Sequence, residues 1–378
     1  MAIRKRTWTN AGGEQTAWVV DYKDQNGKRR LKTFARKKDA DAWWSGQAGY
    51  EVAQGIHTAA SASPTVAEAA DLWLDHSMAE GLERSTIRQR RQHIGLHINP
   101  LIGSVKLSDL SAPRVNAFVD QLRDAGRSLA MRRKVLSALK TLVSFAQGRG
   151  LVAQNAARSV RIKTSARDDG REMRPGTQMP TKAELRAMLD NAPPRWRAFI
   201  VTAIFTGMRA SELRGLRWDD VDADVLHVRQ RADAWGAMGA PKSRAGQRDI
   251  PLAPMAINAL REWRLACPKT EDGALDLVFP NGSGRVASHA NIRNRVFGPL
   301  QVACGITGPD GKPKYGLHAL RHAAASLFIE QGWQPKKIQT VLGHASIQMT
   351  FDLYGKLFKD TESDRKAMER LEAALLIG

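Results

Sequence analysis

The sequence predicts a multidomain protein that is mainly α-helical with small β elements. The chain has 378 residues, more than one ordinary hydrophobic core accommodates. Two segments without sustained apolar periodicity, 58–64 and 164–179, divide it into three blocks and are interpreted as linkers. The first block alternates apolar and polar residues as strands do, whereas the second carries apolar residues at helical spacing throughout.

The charge of the chain predicts an anionic polymer as its partner. Lys and Arg number 58 against 38 Asp and Glu, which gives a formal net charge of +20. No apolar run reaches the length of about 18 residues that a membrane span requires, and no basic amphipathic helix stands alone. Nucleic acid is therefore favoured over a membrane surface.

The amino-terminal residues and the cysteine content predict the cellular location of the protein. The basic residues at the amino terminus lead into a polar stretch rather than an apolar signal core, so export is not expected. Only Cys267 and Cys304 occur, too few for a disulfide framework or a four-thiolate zinc site. We expect a location in the reducing cytoplasm of a host cell, associated with the nucleoid.

The first block, residues 1–57, is predicted to form a small three-stranded sheet plus a helix. The pattern locates two strands, Thr16 to Tyr22 and Lys28 to Phe34, joined by a tight turn whose Asn-Gly pair suits positive φ angles. A helix is predicted from Lys37 to Val52. The sheet is either a solubilising cap or a DNA-binding ribbon that enters a groove with four basic residues. These candidates are Lys28, Arg29, Arg30 and Lys32.

The second block, residues 65–163, is predicted to be wholly helical. The helices are expected at Val66 to His76, Ser85 to His97, Ala112 to Ala125 and Ser128 to Gln147, with Ser85 and Ser128 as N-caps. Two helices carry basic clusters, which are either solvated faces or contacts to DNA phosphates. Their members are Arg88, Arg90, Arg91, Arg132, Arg133, Lys134 and Lys140.

The third block, residues 180–359, begins its chemistry at the end of a buried helical run. That run, Ala198 to Phe205, is expected to end at Gly207 in a left-handed cap. Arg209 and Glu212 follow at a spacing of three, so on a helix the carboxylate can orient the guanidinium. Taken alone, this pair is an ordinary surface ion pair.

Further along, histidines and an arginine share one helix face, because His318, Arg321 and His322 stand at i, i+3 and i+4. Two histidines four apart also suit zinc, but no Glu follows the first and no third ligand has the customary spacing, so no metal is expected. A short helix from Pro335 is then predicted to stop at Gly343.

His344 is predicted to sit at the turn that follows this stop, and the next helix, Ile347 to Leu353, delivers Tyr354. The ordered series Arg209, His318 with Arg321, His344 and Tyr354 resembles the active-site signature of the tyrosine recombinases, the family of bacteriophage integrases. The segments that carry the resemblance are Thr206–Leu213, His318–His322, Leu342–Ser346 and Asp352–Gly355.

The resemblance implies a role for each residue. Tyr354 would be the nucleophile that forms a 3′-phosphotyrosyl link. Arg209 and Arg321 would hold the phosphate oxygens, and His344 would donate a hydrogen bond to them. The remaining roles are as follows: His318 acts as base or positive field, Lys242 in the hairpin Pro241–Leu252 as general acid with Arg244 as the alternative, and Glu212 as a supporting residue that orients Arg209 or His318.

The resemblance also implies the architecture and partners. Residues 1–57 would form an arm-type DNA-binding domain, 65–163 a core-site DNA-binding domain, and 180–359 a mixed α+β catalytic domain. The tail, residues 360–378, is either a helix folded back on its own domain or, as the resemblance implies, a helix that docks on a neighbouring protomer. Expected partners are double-stranded DNA with core and arm attachment sites, further copies in a homo-tetramer, a DNA-bending host factor and a directionality factor; no cofactor, ATP or metal is expected.

The function implied is integration or excision of a mobile element. The first alternative is a resolvase of chromosome dimers or transposons that uses the same chemistry. The second is a DNA-binding regulator that kept the fold and lost the catalysis. The additional sheet of residues 1–57 favours the integrase over the resolvase, and the filled active-site positions disfavour the regulator.

Overall fold

The computed structural model describes residues 2–10, 13–163, 179–241, 243–268 and 275–354. The chain divides into two compact units, an amino-terminal unit, Met1–Asp169, and a carboxy-terminal unit, Gly170–Gly378. Three predicted features lie outside the described residues: Lys242, most of the segment 164–179, and the tail after Tyr354. No helix in the described part of the chain is long and apolar enough to cross a membrane.

The amino-terminal unit begins with an antiparallel sheet of three strands in the order β1-β2-β3. The strands are β1 Ala2–Asn10, β2 Gly13–Lys23 and β3 Arg29–Phe34. The predicted turn between β2 and β3 is closed by Asp24, whose carboxylate accepts hydrogen bonds from the backbone N–H groups of Asn26 and Lys28 at 3.0 Å each. Gly27 takes a positive φ of 74° there, as the Asn-Gly pair predicts.

The helix predicted over Lys37 to Val52 is wrong in one respect, because it is two helices. α1 spans Lys37–Ser45 and α2 spans Gln47–Ala53. Gly46 between them is extended, with φ −84° and ψ −155°, since glycine has no side chain to favour the helical region. Aromatic side chains of α1 cover one face of the sheet, with the Trp43 ring 5.4 Å from that of Tyr22.

The connection over 58–64 is held against the helical part of the same unit rather than left free. Thr58 and Ser63 are buried. The Thr58 hydroxyl donates to the carbonyl of Gly150 at 3.1 Å, and the Ser63 Oγ accepts from the backbone N–H of Ser108 at 3.0 Å. Gln25, in the turn after β2, donates to the same Gly150 carbonyl. These bonds fix the sheet to the helices that follow.

The helices of the amino-terminal unit lie close to their predicted positions. They are α3 Val66–Ala79, α4 Arg84–His93, α5 Asn99–Ile102, α6 Ala112–Asp124 and α7 Leu129–Gly148, with a π-helical turn Ile94–Ile98 joining α4 to α5. Ser128 caps α7 by accepting from the Met131 N–H, as predicted. Ser85 is not an N-cap, because α4 begins one residue before it and its hydroxyl contacts Glu83 instead.

The carboxy-terminal unit combines helices with two short two-stranded sheets. Its helices are α8 Lys182–Asp190, α9 Pro194–Thr206, α10 Ala210–Arg214, α11 Pro254–Ala266, α12 His289–Asn291, α13 Gly298–Ala303, α14 His318–Glu330, α15 Pro335–Leu342 and α16 Ile347–Tyr354. Its strands are β4 Val225–Val228 paired with β7 Arg248–Pro251, and β5 Arg231–Ala232 paired with β6 Met238–Gly239. A π-helical turn, Ile292–Phe297, joins α12 to α13.

Helix α9 is the centre of this unit. Every residue from Ala198 to Ile204 is buried, so the helix is covered on all sides. It packs against both α11 and α14. Because α9 is fixed all round, the turn at its carboxyl end is fixed as well, and this turn carries the first candidate residues.

A histidine with two carboxylate partners joins β4 to β7 at the surface. The His227 ring lies between two carboxylates, 2.8 Å from Asp222 through Nε2 and 2.7 Å from Asp249 through Nδ1. The hydrogen bonds to Asp222 and then Asp249 raise the pKa of His227 above its ordinary value of 6.5. The protonated ring therefore stabilises the pairing of these strands.

We expect the contribution of His227 to stability to depend on pH. A folded-state pKa above the unfolded value means that this contribution is fully present below the unfolded pKa of 6.5 and is lost as pH rises through the raised pKa. His227→Gln should lower Tm by about 1–3 °C at pH 6 and by less at pH 9, as measured by calorimetry. Asp222→Asn with Asp249→Asn should abolish this pH dependence, whereas an equal Tm loss at both pH values would contradict the assignment.

Candidate active site

The first candidate residues follow the turn that ends α9. Gly207 is left-handed, with φ 62°, as predicted. A Cβ on it would lie 2.6 Å from Leu342 Cδ2 and 3.1 Å from Ala324 Cβ, and the positive φ strains any other residue, so the position favours glycine. The chain reverses there and places Arg209 at the N-cap of α10. Glu212 in the first turn of α10 accepts from the Arg209 backbone N–H at 2.9 Å and from its guanidinium at 2.8 Å.

Arg321 ties this turn to the end of α15. Its side chain is buried, and its guanidinium donates to the Gly207 carbonyl at 2.8 Å and to the Leu342 carbonyl. Arg209 donates to the next carbonyl along, that of Gly343, at 3.1 Å. Two guanidiniums from separate helices thus meet at consecutive carbonyl oxygens.

His344 comes directly after Gly343 in the chain. Helix α15 ends at Gly343, which takes the predicted left-handed conformation with φ 65°. The imidazole of His344 is buried, and its Nδ1 lies 2.9 Å from the Thr350 hydroxyl on α16. The spacing that predicted a histidine at a turn is confirmed, and the partner on α16 links that turn to the helix that carries Tyr354.

Two histidines of the site, His318 and His344, are neutral at pH 7. Burial, followed by the charges of Arg321 and Arg209, lowers the pKa of His344 to about 3. His318 keeps solvent access at the start of α14. Loss of hydration around its ring, followed by the His322 and Arg321 charges, nevertheless lowers its pKa to about 4. A neutral imidazole can accept a proton, so His318 suits a base better than a fixed positive charge.

Sequence reasoning missed Arg248. Its side chain is buried and forms an ion pair with Glu212, N to O 2.9 Å, in which both side chains are 2% exposed. It also donates to the Gly246 carbonyl at 2.8 Å and to the Val341 carbonyl. A signal existed, because Arg248 is two residues before the buried Ile250 in a strand and so lies on the same face. Glu212 therefore contacts two arginines and does not hydrogen-bond to His318 among the described contacts.

The remaining candidates of the carboxy-terminal unit are placed as follows. Tyr354 is the last described residue of α16, a helix that contacts α15. Its side chain and Lys242 lie outside what the structure describes. Arg244 is exposed in a 3₁₀ turn directly before β7. His322 packs edge-on to His318, with 4.9 Å between the ring centroids.

The four basic candidates of the sheet do not share one face, as a single DNA-binding surface requires. Arg30 is paired with Asp24 at 2.8 Å, and the Lys32 ammonium lies over the Trp43 ring at 4.7 Å on the side that α1 covers. Arg29 lies on the opposite, open face, and Lys28 lies in the turn before β3.

The open face carries other residues that the sequence reasoning did not select. The strand register places Arg4, Arg6 and Trp8 of β1 there, all exposed. The alternation of residues 2–10 was the signal that could have located β1.

The basic clusters of the helical part separate into exposed and inward-facing members. The Arg90 guanidinium lies over the Trp73 ring at 4.2 Å and donates to Ser77. Arg90 is half-buried there, and its contact with DNA phosphates stays a prediction. Arg132 and Lys140 are half-buried. The exposed members are Arg88, Arg91, Arg133 and Lys134.

Within the described residues, no group of three or more His, Cys, Asp or Glu is placed to hold a metal ion. His318 and His322 share one helix face, but arginine charges act on both rings. A cation would be repelled at this position, whereas an anion would be attracted. The electrostatics of the site therefore favour an anionic ligand.

Comparison with known families and curated proteins places this site in context. Residues 179–360 match the phage integrase family, and residues 65–123 match the N-terminal SAM-like domain of phage integrases. An integrase of Streptomyces ambofaciens is 28% identical over 88% of this chain and 84% of its own length. A tyrosine recombinase XerC of Xylella fastidiosa is 29% identical over 71% of this chain and 85% of its own length.

Solved structures show the same fold. The Tn1549 transposon integrase in complex with a circular intermediate DNA has a TM-score of 0.68 at 21% identity, covering 82% of this chain and 100% of that one. A lambda integrase dimer bound to a core site has a TM-score of 0.60 at 18% identity, covering 94% of each chain. The two family matches, which together cover most of the chain, and the named integrase and recombinase relatives show that the chain belongs to the phage integrase family of tyrosine recombinases.

Proposed function

We propose that this recombinase is an integrase that inserts or excises a mobile element, with Tyr354 as the nucleophile and a 3′-phosphotyrosyl link as the intermediate. One observation carries the proposal: Arg209 and Arg321 donate to the consecutive carbonyls of residues 342 and 343, directly before His344. This arrangement gathers the signature residues of α10, α14 and α15 at one place.

The positive charges of the site suit the transition state of phosphodiester cleavage. The phosphate begins with one negative charge, and more charge builds on its oxygens as a nucleophile attacks in line. Arg209 is about one-third exposed, at 35%, and so can reach a bound phosphate. Guanidiniums that are already oriented stabilise this developing charge without the cost of reorganisation.

The reaction needs two proton transfers, which explain the proposed roles of His318 and of the segment that contains Lys242 and Arg244. A tyrosine hydroxyl has a pKa of about 10, so it attacks efficiently only when a base removes its proton. The low pKa of His318 leaves its ring neutral, and the negative charge of a bound phosphate would raise that pKa and help it to accept the proton. Lys242, with Arg244 as the alternative, would then protonate the 5′ oxygen that leaves.

The amino-terminal unit supports the integrase over the resolvase. Its sheet has an open face with three exposed arginines, Arg4, Arg6 and Arg29. The helical part of the same unit has its own exposed basic side chains. Two basic surfaces on one unit suit a protein that binds two classes of DNA site, arm and core. A regulator without catalysis is disfavoured by the ordered site around residues 342–344.

We propose that the active assembly is a homo-tetramer on DNA, in which the tail docks on a neighbouring protomer. A lambda integrase of the same fold is known as a tetramer bound to a Holliday junction, with a TM-score of 0.59 at 18% identity over 90% of this chain and 95% of that one. A DNA-bending host factor and a directionality factor are proposed as further partners. The proposed location is the cytoplasm of a host cell, on nucleoid DNA.

Tyr354→Phe should abolish covalent attachment to DNA. On a nicked suicide substrate, wild type should form a protein–DNA adduct that survives denaturation, and the variant should form at least about 10⁴-fold less. The chain has four tyrosines, which makes Tyr315→Phe and Tyr50→Phe matched controls that should keep the adduct. An adduct that persists in Tyr354→Phe would place the nucleophile elsewhere.

The general acid can be identified with a substrate whose leaving group needs no proton. Lys242→Ala should slow cleavage of an ordinary phosphodiester by about 10²–10⁴-fold. Cleavage should recover when sulfur replaces the bridging 5′ oxygen, because a thiolate leaves at neutral pH without protonation. Arg244→Ala is the paired variant, and recovery in that variant alone would assign the role to Arg244. Recovery in neither variant would refute a general acid in this hairpin.

The open face of the sheet should contribute to arm-site affinity. Arg4→Ala with Arg6→Ala should weaken binding of the full chain to a footprinted arm-site duplex, and the slope of log K against log salt should fall by roughly two. Lys32→Ala, on the covered face, is the matched control and should change the slope by less than half as much. Unchanged arm-site binding in the double variant would show that the sheet does not contact DNA.

A further inference from the structure

We propose that Arg248 is a positioning residue for strand cleavage, because it neutralises Glu212 and so leaves the positive charge of Arg209 available to the DNA phosphate. The inference rests on the proposed function of the site. It concerns a residue whose three guanidinium nitrogens all donate to the protein itself, to Glu212 and to the carbonyls of Gly246 and Val341.

The geometry around Glu212 divides one carboxylate between two guanidiniums. Its Oε2 accepts from Arg248 Nη2 and from the Arg209 backbone N–H, each at 2.9 Å. Its Oε1 accepts from Arg209 Nη1 at 2.8 Å and from Arg248 Nη1 at 3.3 Å. Arg209 is therefore held in orientation, while its partner carboxylate is also satisfied from the buried side.

The balance of charge at Glu212 determines how much positive charge Arg209 offers to the phosphate. Among the described residues of the site, three guanidiniums face one carboxylate, and the three imidazoles around them have lowered pKa values. The groups that face Glu212 and its neighbours are Arg209, Arg248, Arg321, His318, His322 and His344. With Arg248 present, the carboxylate is compensated and the Arg209 charge remains. Without Arg248, Glu212 would compensate Arg209, and the site would lose one positive charge toward the phosphate.

Arg248 also holds the turn that carries His344. It donates to the carbonyls of Gly246, in the 3₁₀ turn before β7, and of Val341, in the last turn of α15. A Cβ on Gly343 would lie 2.9 Å from Arg248 Nη1 and 2.8 Å from the Ala245 carbonyl. The turn at Gly343 is therefore in close contact with both groups. A single planar guanidinium serves all three directions, which the point charge of a lysine cannot do.

A double-mutant cycle on Glu212 and Arg248 tests the charge argument. In single-turnover adduct formation on the suicide substrate, Arg248→Gln should cleave about 100-fold more slowly than wild type. In the Glu212→Gln background, where no carboxylate remains to compensate Arg209, the same change should cost about threefold or less. An equal loss in both backgrounds would show that Arg248 acts only by packing and would overturn the proposal.

The pH profile provides a second readout. The Arg248 charge and hydrogen bond lower the pKa of Glu212 against the effect of burial. Their removal should raise that pKa, so cleavage by Arg248→Gln relative to wild type should improve as pH falls and the carboxylate takes a proton. Glu212→Gln with Arg248→Gln should lack this improvement. A ratio of Arg248→Gln to wild type that does not rise as the pH is lowered would also count against the proposal.

Folding and the nucleophile are controlled separately. If Arg248→Gln alone does not fold, the double variant, which has lost both buried charges, is compared with Glu212→Gln. Cleavage within about threefold of Glu212→Gln supports the proposal, and a loss of about 100-fold overturns it. Tyr354→Phe should abolish the adduct in every background. An adduct that persists there would refute the proposed function without bearing on Arg248.

Discussion

The mutual repulsion of three arginines is the constraint on which the site depends. Arg209, Arg248 and Arg321 meet at the proposed phosphate site, and without a bound anion their charges oppose assembly. The fold offsets the repulsion with the carboxylate of Glu212 and with the carbonyl oxygens of residues 341–343 and 207. Because these acceptors belong to fixed backbone, the guanidiniums are oriented before a phosphate arrives.

This constraint explains why the elements around the site are so tightly joined. Helix α9 is buried on all sides and presents Gly207, and α15 presents Gly343, each in a left-handed conformation with no space for a side chain. Burial, and after it the charges around the two rings, lowers the pKa of His318 and His344, so that neither ring adds to the repulsion at neutral pH. A bound phosphate would reverse this effect, which couples substrate binding to the ability of His318 to take a proton.

The sequence predicted local features where the local chemistry is decisive. The left-handed stops at Gly207 and Gly343, the cap at Ser128 and the turn at Asp24 were all located, because each depends on residues within a few positions. Predictions that depend on the wider environment were less accurate. Gly46 breaks a helix that apolar spacing made continuous, and the contact of Arg90 with the Trp73 ring was not predicted.

By itself, the sequence determined the family, the order of the signature residues and the mainly helical, multidomain plan, since these follow from residue types and spacing along the chain. Only the tertiary structure decided which charges compensate one another. The pairing of Glu212 with Arg248 joins residues 36 apart in the chain and depends on how β7 packs beside α10 and α15. The open face of the sheet was likewise decided by strand register, because one residue of shift exchanges the two faces.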